Sequence, residues 1–283
     1  MQWPEHYAFG ATLASESCRS GVGLHSGAAA QVRLAPSAES GYWLGWLNQP
    51  TLPLQRLAPG QVVASRLCTA LELNGGRLAT VEHLLAALAG CGVSQAQIWV
   101  DGPEIPLLDG SALPWVEAIA EAGLAPVASS PMAPAPSAPL TIHHQGSFVT
   151  ALPGEDLRLG AAIEFSEAAI GRQLFSLKLT PATFVREIAP ARTFGLRSQV
   201  EQLRAAGLIQ GGALDNALVC DGDHWLNPPL RFAEEPVRHK LLDLIGDLAL
   251  VGLPRAQVFA YRGSHALHTA LAAALASSAP CTA

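Results

Sequence analysis

RHKLLDLIGDLAL, residues 238–250, carries a polar residue at every fourth position, His239, Asp243 and Asp247, within an otherwise apolar run. On an α-helix such neighbours share one face with Cβ atoms about 5–6 Å apart, so the three side chains can converge on one point. Leu241, Leu242, Leu244, Ile245, Leu248 and Leu250 cover most of the remaining surface, which makes the helix a buried one whose polar row requires partners. A buried carboxylate is costly unless it is paired, hydrogen-bonded or bound to a metal. An imidazole and a carboxylate one turn apart suit two of the three protein ligands of a catalytic zinc, which keeps a fourth position open. A capped helix whose His and Asp side chains bond to loops fits this stretch equally well.

The pattern calls for a helix over 236–250, a strand over 256–262, a loop, and a helix over 266–276. The same order occurs earlier. TALELNGGRLATVEHLLAALAGCGV resembles a hairpin feeding a helix: Asn74, Gly75 and Gly76 make the turn, Thr80 is the expected N-cap, and Glu82 to Ala89 form the helix, closed by Gly90 and Gly92. Glu82 and His83 then sit in a first turn, where an acid is common for dipole reasons alone. AQIWVDG follows as a strand, PEIPLLDGSALP as a loop, and WVEAIAEAGL as a helix, with the final helical stretch starting at Ser111.

Equal order at similar spacing suggests an internal duplication. The expected fold is therefore α+β: two tandem domains of similar topology, each a β-sheet layer packed on a helix layer, with the helices facing each other at the domain interface. The domains span 1–124 and 140–283. Between them APVASSPMAPAPSAP, 125–139, is too rich in Pro, Ala and Ser to propagate a helix or a sheet and reads as the linker. An apolar insertion, 196–219, has helical spacing in Val200 and Leu203, then Leu208, Ile209, Leu214 and Leu218 around a double glycine. Such stripes are usually core, but one beside a polar site can line a channel for a hydrophobic group.

Near the start, ATLASESCRS reads as a strand, GVGLHSG as a hairpin turn and AAAQVRLAP as a second strand. His25 lies in that turn, as a solvated loop residue or as a substrate contact; the residues alone favour the first. Neither GxGxxG nor P-loop spacing is present.

With 283 residues, 49% hydrophobic and 14% charged, the chain has ample core for two domains. A net charge of -6 with scattered Lys and Arg argues against nucleic acid as a partner. Five widely spaced cysteines without a CxxC pair suit a reducing cytoplasm. The N-terminus lacks the basic start and apolar run of a signal peptide, and no apolar run reaches the roughly 18 residues of a membrane span, so no stable membrane insertion is expected.

The motifs TVEHLLAALAG, PEIPLLDGSA, ARTFG, VRHKLLDLIGDL and SHAL, in this order, together with GVGLHSG and GGALDNA, resemble those of the UDP-3-O-acyl-N-acetylglucosamine deacetylases, zinc enzymes that commit precursor to lipid A. The resemblance runs from about Ala11 to Leu271. It implies that His83, His239 and Asp243 bind one Zn2+ per chain, which Fe2+ can replace. It also implies Glu82 as general base, His265 as general acid, Asp247 as the partner that orients and charges His265, Thr193 at the oxyanion, and Lys240 as added positive charge. Phe165, Phe194, Val200, Ile209, Gly212, Leu214 and His25 are the substrate-binding set it implies, with Val200, Ile209 and Leu214 against the acyl chain and Phe165 on the nucleotide side. A cytoplasmic monomer acting on an acylated UDP-sugar is the expected state.

The chain departs from the family pattern in FSEAAIGRQ, 165–173, where His-Pro usually follows the aromatic, at Ala213 in place of Ser, and at Ser264 and His268, where Gly and Asn are frequent. None of these positions is a ligand, acid or base. They leave open a zinc amidohydrolase acting on another N-acetylated sugar. A non-catalytic descendant using zinc as a clamp is the alternative of a different class, but a purely structural site needs neither acid nor base and is usually closed by a fourth protein ligand.

Overall fold

The computed structural model describes residues 1–7, 10–127 and 135–278. The first half opens with strands β1 (Ala11–Leu13), β2 (Ser17–Val22), β3 (Ala29–Ala35), β4 (Gly41–Trp46) and β5 (Gln55–Arg56). A small antiparallel sheet, β6 (Val62–Val63), β7 (Ala70–Leu73) and β8 (Gly76–Ala79), leads into α1 (Glu82–Gly90), β9 (Val93–Val100), α2 (Leu113–Ala122) and β10 (Leu124–Pro126). In the seven-stranded sheet β9 is central, antiparallel to β3 and parallel to β1 and β4.

The second half runs β11 (Leu140–His144), β12 (Ser147–Pro153), β13 (Arg158–Glu164), β14 (Arg172–Lys178), a short α3 (Pro181–Thr183), β15 (Phe194–Leu196) and α4 (Arg197–Ala205). It ends with β16 (Leu218–Asp221), β17 (His224–Trp225), α5 (Glu235–Leu248), β18 (Ala256–Tyr261) and α6 (His265–Ser278). Its sheet has the order β11-β12-β18-β13-β14, with β18 antiparallel to β12 and parallel to β13. Each half thus places a helix, α1 or α5, directly before its central strand.

The helix layers face each other, and α1 packs against α5. Helix α5 is buried on nearly every side, as its sequence demands, and Val237, Leu241, Leu242, Leu244, Ile245 and Leu248 have no exposed surface. Close approach to α1 depends on Gly246, where a Cβ would overlap the carbonyl oxygen of Glu82. The contact therefore brings the start of α1, which bears Glu82 and His83, onto the polar row of α5.

Several local expectations give way to tertiary demands. Thr80 is not an N-cap: α1 starts after Val81 without a side-chain cap, and Thr80, at φ +57°, points its hydroxyl at Glu104. The stretch expected as one strand near the start divides into β1 and β2. Ala125 and Pro126, the first residues of the expected linker, complete β10, which pairs with β1 at the sheet edge, where proline costs no ladder bond. Residues 128–134 of that linker lie outside the described residues. Helix α2 begins at Leu113 rather than Ser111, whose hydroxyl instead accepts from the Leu113 N–H and donates to Asp109.

Candidate metal centre and active site

His239, Asp243 and Asp247 are buried on one face of α5, as their four-residue spacing requires. The Ala191 carbonyl accepts a hydrogen bond from His239 Nδ1 at 3.0 Å, which leaves Nε2 with its lone pair turned inward. That Nε2 lies 3.4 Å from Asp243 Oδ1. From the other half, His83 Nε2 lies 3.8 Å from the same oxygen, and the two imidazole rings meet edge to face at 4.9 Å between centroids. The spacing of His83 from α5 was not readable in the chain; the α1–α5 contact supplies it.

These three side chains fit a zinc ion. Their ligand atoms all lie within 4.8 Å of one another, and tetrahedral bonds of 2.0–2.1 Å put neighbouring ligands roughly 3.3 Å apart. Two imidazoles and a carboxylate are a donor set suited to zinc. Burial pushes the His83 imidazole down to about 3, assisted by His239, and burial likewise lowers His239 against the pull of Asp243, so both rings are neutral donors. Burial opposes ionisation of Asp243, yet Lys240, foremost among several neighbours, holds its carboxyl well below the usual range. Lys240 Nζ donates to the second oxygen, Oδ2, at 2.8 Å.

Beside this cluster, Glu82 Oε2 accepts the Thr69 backbone N–H at 3.0 Å, and Oε1 faces His265 Nε2 at 3.8 Å. Burial raises the Glu82 carboxyl to about 7, against the attraction of His265. His265 opens α6. Its Nδ1 donates to Asp247 Oδ2 at 3.0 Å, so the nitrogen turned toward Glu82 is Nε2. Burial disfavours the imidazolium, but Asp247 and then Glu82 more than compensate, and the value rises to about 10. A carboxylate and a charged imidazole thus face one another next to the three-residue cluster.

The ARTFG segment forms one wall. The Thr193 N–H donates to the Gly110 carbonyl of the first half at 2.8 Å. Phe194 stands edge-on to Phe165 at 5.5 Å and to His239 at 6.5 Å, with Lys240 Nζ 5.7 Å from its ring centre. His25 is buried, not solvated, and among the described residues neither ring nitrogen has a hydrogen-bond partner. Its turn is held by Glu104, which accepts from the His25 N–H, the Ser26 N–H and the Thr80 hydroxyl at 2.9, 2.7 and 2.7 Å.

The insertion reaches this turn through its glycines. Gln210 N–H donates to His25 O and Gly211 N–H to Leu24 O, at 3.2 and 3.0 Å, which brings Gly211 and Gly212 against the GLHSG loop, with Ile209 packed behind Gly212. Val200 is half-buried on α4, whereas Leu214 is 55% exposed. Sequence reasoning assigned no role to Thr69, Glu104 or the Ala191 carbonyl, and no local pattern marks them. It noted His268 as a departure; the i, i+3 spacing from His265 was the signal that both face one carboxylate.

The profile of one protein family, described as UDP-3-O-acyl N-acetylglycosamine deacetylase, matches residues 10–277. A UDP-3-O-acyl-N-acetylglucosamine deacetylase of Nostoc sp. is 51% identical over 271 residues, covering 92% of this chain and 96% of that protein. The protein of the same name from Thermosynechococcus vestitus is 50% identical, over 94% of this chain and 93% of its own. A protein of Arabidopsis thaliana, named probable UDP-3-O-acyl-N-acetylglucosamine deacetylase 1, mitochondrial, is 39% identical, over 92% of this chain and 86% of its own length.

Proposed function

The chain belongs to the UDP-3-O-acyl-N-acetylglucosamine deacetylase family, and from that premise we propose that it hydrolyses the N-acetyl amide of UDP-3-O-acyl-N-acetylglucosamine with one zinc ion per chain. The products are acetate and the free amine of the acylated UDP-glucosamine, and the step commits precursor to lipid A. The observation that carries this reading is the meeting of His83 with His239 and Asp243 across the two halves, beside an opposed Glu82 and His265.

His83 Nε2, His239 Nε2 and Asp243 would hold the ion. Zinc bound there supplies Lewis acidity toward the amide carbonyl and lowers the pKa of a water toward about 7; Fe2+ can serve in its place. Glu82 Oε1 takes a proton from the water that adds to the carbonyl carbon. The Thr193 hydroxyl donates to the oxygen that becomes negative, and Lys240 adds positive charge on the same side. An amine leaves only when protonated, and His265 Nε2 delivers that proton while Asp247 keeps the imidazole charged and oriented through Nδ1. Phe165, Phe194 and His25 bind the sugar nucleotide, and Val200, Ile209, Gly212 and Leu214 of the insertion take the acyl chain.

No helix among the described residues is long and apolar enough to cross a membrane. Our reading is of a cytoplasmic monomer that collects a singly acylated sugar nucleotide. The test is turnover of the acylated UDP-N-acetylglucosamine by the zinc-loaded protein, with deacetylated product detected by mass spectrometry. Product that disappears on chelation and returns with zinc is expected. Bound zinc without turnover would remove the reading, and activity confined to another N-acetylated sugar would redirect it.

A further inference from the structure

Asp247 has no exposed surface, and three donors meet its carboxylate. Thr69 Oγ1 donates to Oδ1 at 2.5 Å, while His265 Nδ1 and His268 Nδ1 each approach Oδ2 at 3.0 Å. His268 is 1% exposed and Asp247 is its side-chain hydrogen-bond partner, since Nε2 is buried without one among the described residues. The ring is wedged against the strand-to-helix loop, for a Cβ on Gly263 would overlap that Nε2. A leucine of similar bulk would fill the space without desolvating two nitrogens, so what the imidazole contributes is its Nδ1–H. Thr69 does two things at once. Its hydroxyl fixes Asp247, and its backbone N–H takes Glu82 Oε2, which leaves Oε1 as the oxygen facing His265.

We propose that Thr69 and His268 are positioning residues: together they lock the Asp247 carboxylate so that His265 presents Nε2 to the leaving group, and Thr69 also sets which oxygen of Glu82 is free. The claim rests on the reading of Glu82 and His265 as base and acid. A carboxylate without exposed surface that loses a donor has no solvent to replace it and must rotate or take up a proton. Either change releases His265 from its orientation.

The experiment uses the zinc-loaded full chain and UDP-3-O-acyl-N-acetylglucosamine. His268→Leu and Thr69→Val are each expected to lower kcat about tenfold, the size of one hydrogen bond to a charged group, with KM and zinc content unchanged. His268→Asn, whose amide nitrogen can occupy the place of Nδ1, and Thr69→Ser, which keeps the hydroxyl, are expected to recover kcat to within about threefold. In an Asp247→Asn background the same removals are expected to cost less than about twofold further, because residues acting through one group are not additive. Losses that multiply in that background, or a wild-type kcat in both His268→Leu and Thr69→Val, would overturn the proposal.

Imidazole N–H resonances of the same protein labelled with 15N-histidine give a readout without turnover. His265 and His268 should each show a slowly exchanging Nδ1–H, and Thr69→Val should speed exchange at His265. Absence of a protected Nδ1–H at His268 in the wild type would overturn the positioning role. Failure of the wild type to turn over substrate would instead sink the assigned reaction, and the resonances would still decide how Asp247 is held.

Discussion

Asp243 and Asp247 stand one turn apart on α5, both buried, yet their partners divide the labour between them. Asp243 faces two neutral imidazoles and a lysine, whereas Asp247 faces a threonine hydroxyl and two imidazole N–H groups. Asp243→Ala is therefore expected to lose the metal, and His265→Ala to keep it while kcat falls by about 10²–10⁴, the range of a lost general acid. Metal analysis of both purified variants checks this, and equal metal loss would contradict the division. The sign of the pH dependence follows from His265. Its folded value, about 10, exceeds the ordinary 6.5, so the stabilisation from its charge is complete below about 6.5 and disappears as pH rises through about 10. The acid form needed for the leaving group is lost over the same upper range. Asp247→Asn removes the strongest of the groups that raise this value, so the alkaline limb of kcat/KM should move at least ~1 pH unit toward neutrality. A limb that stays in place would show that another group titrates there.

At the scale of elements, the site exists because α1 and α5 touch closely enough for His83 to reach Asp243. Gly246 sets that distance. Gly246→Ala should force the two helices apart at Glu82, costing about 1–3 kcal/mol as overpacking does and weakening zinc binding in step. Denaturant unfolding and a zinc titration of that variant measure both, and a stability loss with unchanged zinc affinity would place the control of the site elsewhere. What the chain disclosed beforehand follows the same line. The row His239, Asp243, Asp247 and the Asn74–Gly75 turn were readable because helix periodicity and turn chemistry are local. Thr80 misled because its cap-forming hydroxyl is used by Glu104, a residue from a separate loop. Thr69 was silent because both its partners, Glu82 and Asp247, arrive only when β7, α1 and α5 pack together. The burial of His25 was hidden for a like reason: its turn is bonded by the distant Glu104 carboxylate and by the Gln210 and Gly211 backbone N–H groups.

For the molecule as a whole, the proposed ligand set is shared between halves that are already joined without it. The Ala112 N–H donates to Ala189 O and the Thr193 N–H to Gly110 O at 3.0 and 2.8 Å, and Arg231 pairs with Asp109 at 2.8 Å, each across the two halves. The apo protein is thus expected to unfold as one unit, with zinc adding stability by linkage. At free zinc a thousandfold above Kd the gain is about 4 kcal/mol, which for a chain of this size corresponds to a Tm rise on the order of 10 °C. His83→Ala leaves two ligands on a single helix and should lose most of that rise. Arg231→Ala, which touches no ligand, should lower Tm by the same amount with and without zinc. Calorimetry of the wild type and both variants, each with and without chelator, separates these effects. Two resolved transitions in the apo protein would mean that the halves are not joined without the ion, and an undiminished zinc effect in His83→Ala would mean that they do not share it.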